Sequence, residues 1–266
     1  MNRANDDNPK NGYTPAPCEE FPMRGKGYLD DKKKHKAADC MFDLVGCDTF
    51  YSKDRDTRVC EWDQSVLQRM KRNAARRGRK CPRILAVNWM VPGSPRINHV
   101  EYFVEKEFVP VTDDDKMYQR MIDHFMADGN DAFRTARFKL IPHVEAGNFL
   151  VKKAVGKPTI LCKAIETEYH VGDGYLEIAI DIGCSKIAEK VLGICTGFAK
   201  SLVIDLGYTI EGKKGEELPE RLLGGVRIHY FDMKSVIDKP RPAEEEGPAE
   251  DSPEEGAGGE QCAAAN

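Results

Sequence analysis

The acidic side chains of two alternating runs are the first groups to which chemistry could be assigned. In Tyr175–Gly183, YLEIAIDIG, Glu177 and Asp181 fall opposite Leu176, Ile178, Ile180 and Ile182. In Val203–Glu211, Asp205 and Glu211 fall opposite Ile204, Leu206, Tyr208 and Ile210. Successive residues of a strand point to opposite faces, so neighbouring strands would put these acids on one surface, with Arg227 from a later strand beside them. A carboxylate pair of this kind can exchange protons with a substrate. It can equally be one half of a charge-paired network. The second use is favoured by Phe133–Pro142, FRTARFKLIP, which sets Arg134, Arg137 and Lys139 among phenylalanine, leucine and isoleucine. Buried cations require partners, and the strand carboxylates supply them. The other reactive side chains form no pattern. The six histidines include no metal-binding pair, and the nine cysteines include no C-x-x-C. Their closest grouping, Cys40, Cys47 and Cys60 near His35, lacks the ligand spacing of a zinc site. Neither a nucleophile elbow nor a phosphate loop is present. No catalytic residue, metal site or cofactor is therefore expected.

Positioning these groups falls mainly to strands. Ile84–Val91 is nearly continuously apolar and reads as a buried strand, and Pro92-Gly93-Ser94-Pro95 turns the chain into a second, His99–Phe108. Met41–Val45 is a short apolar patch. Thr112 with Asp115 forms a capping box for a helix whose stripe is Met117, Met121, Ile122 and Phe125. FRTARFKLIP is then a hinge, because proline biases Ile141 toward extended backbone. Phe149–Val155 and Thr159–Tyr169 read as strands around Gly156-Lys157-Pro158, and Gly172-Asp173-Gly174 as a tight turn. Ser185 caps a helix over 186–200 with Ile187, Val191, Ile194 and Phe198 on a core-facing side. Glu217–Leu223 reads as a short helix closed by Gly224-Gly225, and Val226–Phe231 as the last strand. The fold class is α+β: a largely antiparallel sheet of six to eight strands with one long and several shorter helices packed on it.

The 266 residues are 41% hydrophobic and 32% charged, enough for a core and a soluble surface. The net charge of −4 is unevenly spread: residues 236–266 hold nine acids against two cations, so that −7 in this stretch leaves +3 for 1–235. The basic side chains cluster at 32–36 and in a helical pattern that begins at Asp63 and ends in Lys71, Arg72, Arg76, Arg77, Arg79 and Lys80. Cations suit a helix C-terminus, and they would also suit an anionic membrane surface. Nucleic acid is disfavoured because no aromatic side chain is interleaved for base stacking. The most apolar window, Val191–Leu206, contains Lys200 and Asp205 and is too short to span a bilayer. No signal peptide is apparent, and free thiols in a chain of this length fit a reducing, cytoplasmic setting.

Several stretches agree in order with one family. They are Phe21…Arg24-Gly25…Tyr28-Leu29; Asn88…Val91-Pro92-Gly93-Ser94-Pro95; Tyr102-Phe103; Phe133-Arg134…Arg137-Phe138-Lys139-Leu140-Ile141-Pro142; Val155-Gly156-Lys157-Pro158; Tyr175-Leu176-Glu177…Asp181-Ile182-Gly183; and Glu217-Leu218-Pro219-Glu220 before Leu223-Gly224. Through them, residues 18–235 resemble the Enhanced Disease Resistance 2 C-terminal domain family of plants, algae and protists, flanked by disordered segments at 1–17 and 236–266. Cys162 and Ala179 depart from the family's Gly and Asp; the second departure shortens the row of acids and counts against an obligatory dyad. In the plant proteins the domain follows a lipid-binding domain and a phosphoinositide-binding pleckstrin domain. The resemblance implies no catalytic residues.

The expected function is a non-catalytic lipid- or membrane-associated binding and regulatory domain, cytoplasmic or peripheral on intracellular membranes. Its ligand would be an anionic phospholipid or a hydrophobic lipid. Arg134, Arg137, Lys139, Glu177, Asp181 and Arg227 are the binding-site residues under this reading, and the 71–80 cations form the membrane surface. The alternatives are a hydrolase-like enzyme using Glu177 and Asp181, marked by a polar pocket around them, and a protein-interaction scaffold, marked by an exposed apolar patch.

Overall fold

A computed structural model of the protein describes residues 1–4 and 10–238. In chain order the strands are β1 (Asn2–Arg3), β2 (Gly12–Pro15), β3 (Pro22–Arg24), β4 (Lys34–Lys36), β5 (Phe42–Ser52), β6 (Ile84–Val91), β7 (Arg96–Glu105), β8 (Phe138–Ala146), β9 (Thr159–Ile160), β10 (Glu166–Gly172), β11 (Tyr175–Asp181), β12 (Val203–Ile210), β13 (Leu222–His229) and β14 (Ile237–Asp238). The helices are α1 (Tyr28–Asp31), α2 (Val66–Arg76), α3 (Asp113–Met126), α4 (Asp131–Arg137), α5 (Phe149–Val155), α6 (Leu161–Ala164) and α7 (Lys186–Gly197).

Instead of one sheet there are two of six strands each, ordered β1-β2-β13-β12-β8-β9 and β10-β11-β6-β7-β5-β14, plus a β3–β4 ribbon. Pairing is antiparallel except at β1–β2, β11–β6 and β14–β5. The inner faces meet in one core that includes Leu85, Val87, Phe103, Leu176, Ile178, Phe138 and Tyr208, and α3 closes over it with Tyr118, Ile122 and Phe125. Tyr208 stacks on Phe138 and meets Phe103 edge-on, which ties the two sheets together through rings. The capping box of α3 forms as its sequence requires, Thr112 accepting from the Asp115 amide and Asp115 from that of Thr112.

The outer face of each sheet is also covered. On the second sheet, α2 lays Val66 and Leu67 against Ile84, Ala86, Val100 and Tyr102. On the first, the segment around the β3–β4 ribbon buries Phe21 and Met23 against Ile141 and Leu222. Phe21 can approach only because β12 carries glycine there: a Cβ on Gly207 would lie 2.5 Å from the Phe21 ring.

The structure corrects several expectations. Phe149–Val155 is helix, capped by Asn148, whose side chain accepts from the Leu150 amide. Thr159–Tyr169 is broken by α6 into a two-residue strand and the start of β10. Glu217–Leu223 is not a helix; a 3-10 turn ends at Glu217 and β13 begins at Leu222. Gly12–Pro15, assigned from composition to a disordered terminus, pairs with β13. Val236 is buried and Ile237–Asp238 pair with β5, while the remainder of the acidic tail, 239–266, lies outside the described residues. Most consequentially for the surface, α7 is only partly covered: Ala188 and Leu192 pack against the core and Val191, Ile194 and Phe198 are half-buried, but Ile187, expected on the same core-facing side, is exposed.

Candidate functional site

The strand acids do not share a surface. Glu177 and Asp181 belong to the second sheet, and Asp205 and Glu211 accompany β12 of the first, so the single row of acids splits in two. Within β11 itself, four residues of strand separate Glu177 from Asp181 by roughly 13 Å. The paired carboxylates of glycosidases, by comparison, stand about 5–9.5 Å apart. Neither acid is free. Glu177 is fully buried and accepts from the Cys60 amide at 3.0 Å and from Asn88 at 3.1 Å, which fastens the 53–65 connection to the sheet. Asp181 accepts from the Gly183 amide and pairs with Arg55 at 3.2 Å. No polar pocket encloses the two acids among the described clefts.

Arg134, Arg137, Lys139 and Arg227 also serve separate places. Arg134 is fully buried; its guanidinium donates to the Phe125 carbonyl at 2.8 Å, to the Ala127 carbonyl, and to Asp131 at 2.6 Å. It thus satisfies carbonyls that α3 leaves unpaired at its C-terminus, where a cation is also favoured by the helix dipole. Arg227 grips Asp205 directly across the β12–β13 ladder, with Nε–Oδ1 at 2.6 Å and Nη2–Oδ2 at 2.8 Å, and His143 reaches the same carboxylate from β8 at 3.0 Å. The Asp205 carboxylate raises the Arg227 pKa, and burial together with Arg227 lowers that of His229.

Arg137 and Lys139 belong to the densest ionic cluster, which assembles the motif residues Arg24, Arg137, Lys139, Glu217 and Glu220 with Glu211. Lys139 and Glu220 are both buried and meet at 2.6 Å. Arg24 pairs with Glu211 at 2.9 Å, and its backbone amide also donates to Glu220. Arg137 holds Glu217 in a bidentate pair at 2.7 and 2.9 Å. Burial works to raise the Glu217 pKa, but Arg137 and the Lys213 and Lys214 amides outweigh it and keep the carboxyl below its ordinary value. Burial draws the Lys139 pKa down, with Glu220 opposing. Every carboxylate of the cluster is engaged by a cation, so the arrangement can hold the ribbon on the sheet but leaves no group poised for proton transfer.

Two features were not singled out in the sequence. Glu101 is fully buried between the sheets, where it accepts from Trp89 at 3.2 Å and Tyr208 at 2.6 Å, with His99 Nε2 at 3.5 Å. Its place beside Phe103 on an otherwise charged strand face was the available signal. The second feature is a surface. Phe149 is 74% exposed, Leu150 55% and Ile187 80%, on α5 and α7, two helices that pack against each other. Lys152, Lys153, Lys157, Lys186 and Lys190 are exposed on the same segments, and none has a carboxylate partner among the described residues. The 71–80 cations lie elsewhere, on and after α2: Lys71 pairs with Asp173 and Arg72 donates to the Asp63 carbonyl, whereas Arg76, Arg77, Arg79 and Lys80 are exposed with no ion pair among the described residues.

These features define an α+β domain of two facing sheets whose charged motif residues are consumed in structural networks and whose unsatisfied surface is apolar and basic. The chain belongs to the family described as Protein ENHANCED DISEASE RESISTANCE 2, C-terminal, which it matches over residues 13–232. It is 38% identical over 232 residues to an Arabidopsis thaliana protein described as "Protein ENHANCED DISEASE RESISTANCE 2-like", a match that covers 87% of this chain and 30% of that protein. The chain thus spans less than a third of that relative's length. No solved structure matches it.

Proposed function

We propose that this is a non-catalytic binding domain that docks peripherally on an anionic membrane surface through α5 and α7. The observation that carries the reading is that Phe149, Leu150 and Ile187 stand exposed among lysines on α5 and α7, whose remaining apolar side chains are buried or half-buried. Apolar side chains ringed by lysine fit the boundary between headgroups and acyl chains. Lysine is depleted from protein–protein interfaces, which favours a lipid surface over a protein partner for this apolar patch. No helix among the described residues is long and apolar enough to cross a membrane, in keeping with attachment from one side. The eight described cysteines are all free, which supports a cytoplasmic setting.

Each lysine near a charged bilayer contributes about 1 kcal/mol. Each of the three apolar side chains adds about 1–2 kcal/mol on insertion, because each is already partly covered. The sum is about 8–11 kcal/mol, and the cost of immobilising the protein at the surface brings the association to micromolar or weaker. An enclosed lipid is supported less well. The two described clefts, of about 510 and 320 Å³, carry charged lining residues including Arg69 and Asp48 in one and Lys106 and Arg221 in the other, unlike an acyl-chain tunnel.

The test is co-sedimentation with phosphatidylcholine vesicles and with the same vesicles containing phosphatidylserine. Binding is expected only to the anionic vesicles, weakened by salt, and lost in Phe149→Ser/Leu150→Ser protein of unchanged thermal stability. Absence of sedimentation with anionic vesicles at low salt overturns the proposal.

A further inference from the structure

Cys18, Asp39 and Cys40 come from two segments that precede β5, and one ligand atom from each lies within 4.8 Å of the others. Cys18 opens the 3-10 turn that follows Pro17, and Cys40 is fixed by a bridge to Leu222 at the start of β13. Both thiols are half-buried against the cluster of Phe21, Met23 and Leu222. The carboxylate is oriented as well: Asp39 Oδ1 accepts from the Cys40 amide at 2.7 Å and from the Lys106 ammonium at 2.8 Å. Outer partners of this kind orient the carboxylates that ligate metals.

We propose that Cys18, Asp39 and Cys40 form a site for a zinc-type divalent cation, which clasps the N-terminal segment to the strands it covers. Tetrahedral zinc with sulfur and oxygen ligands holds its donors roughly 3.5–3.8 Å apart, so the three atoms need close by about an ångström at most. Two thiolates and a carboxylate suit a borderline-soft cation over magnesium or calcium. The ionic balance agrees. Two thiolates with Asp39 and Asp43, less the charge of Lys106, which pairs with both aspartates, leave a surplus of negative charge for a dication. The fourth position falls to water or to His35, which lines the same cleft as Asp39 and Cys40.

Cobalt titration of the reduced, chelator-treated full chain tests this, since cobalt reports thiolate ligation as a charge-transfer band in the near ultraviolet. One equivalent should saturate the band, and zinc should displace it. Cys18→Ser and Cys40→Ser should each lose it, Asp39→Asn should weaken binding by about tenfold or more, and Cys81→Ser/Cys184→Ser should keep it. Independently of any variant, zinc should protect Cys18 and Cys40 of the unaltered chain from alkylation. Absence of the band, its persistence in both single-cysteine variants, or recovery of a Cys18–Cys40 disulfide with no zinc protection of the reduced pair would each overturn the proposal.

Discussion

Replacing Lys139 by Met separates the role of the ionic cluster from that of the surface. The Lys139 side chain is 6% exposed and that of Glu220 1%, and their charged atoms meet at 2.6 Å. Methionine keeps the length and apolar stem of lysine and removes only the charge. Glu220 would then be left beneath the β3–β4 ribbon with the Gly212 amide at 3.2 Å, the Arg24 amide at 3.3 Å and the Arg24 Nε at 3.7 Å. Removing one member of a buried pair costs about 3–5 kcal/mol. Because Arg24 still faces the carboxylate, the expected cost is the lower end, about 3 kcal/mol, or a fall of roughly 6–12 °C in thermal midpoint for a domain of this size. Glu220→Gln in the same chain removes the stranded charge, so the double variant should regain about 1–2 kcal/mol over Lys139→Met alone. Urea unfolding of the four proteins of this cycle supplies the numbers. A Lys139→Met protein within about 0.5 kcal/mol of the parent, the scale of a surface substitution, would mean that water reaches Glu220, and the account of a closed structural cluster would be wrong.

Three further outcomes follow from the same geometry. Glu217 titrates below its ordinary value when folded, so its stabilising contribution is complete above the unfolded carboxyl value of about 4.3 and is lost as pH falls through the lower folded value. Stability of Glu217→Gln should therefore decline less steeply across the acid limb than that of the parent; parallel limbs would show that the Arg137 pair contributes nothing. Gly207→Ala drives a methyl group to 2.5 Å from the Phe21 ring, an overpacking that should cost about 1–3 kcal/mol; an unchanged urea midpoint would mean that Phe21 can withdraw freely. Arg76→Glu/Arg77→Glu should lower the thermal midpoint by only a few degrees, because neither side chain has an ion pair among the described residues and the loss is confined to the favourable placement of cations at the end of α2. Because this segment lies apart from α5 and α7, vesicle binding should change little, and a large loss would place the membrane contact on this segment instead.

Local pattern was a reliable guide wherever one residue decides. The alternation of Tyr175–Asp181 placed Leu176, Ile178 and Ile180 in the central core and Tyr175 on the opposite face, as the structure has them. Thr112 and Asp115 announced α3, and the arginine-rich hinge is where α4 hands over to β8. Pairing was not legible, because strand neighbours are a property of the whole chain. Asp205 found Arg227 at its own register position, but nothing local separated β11 from β12 into different sheets. Short apolar runs carry no decisive period, so Phe149–Val155 read as strand, and the Asn148 cap was the signal that tells otherwise. The apolar side of α7 was visible, and Val191, Ile194 and Phe198 are half-buried as part of it, but nothing in the spacing showed that Ile187 in the first turn is left uncovered.

Docking through α5 is the central claim, and a tryptophan placed at Phe149 tests it most directly. The only native tryptophans are Trp62 and Trp89, so the added fluorescence of Phe149→Trp is obtained by difference from the parent chain. With phosphatidylserine vesicles whose acyl chains carry bromine near the headgroup end, that added emission should shift to the blue and be quenched, and high salt should relieve the quenching. If the chain sediments with these vesicles while the tryptophan at 149 keeps its water-exposed spectrum and escapes quenching, the membrane contact lies elsewhere and the central claim is contradicted.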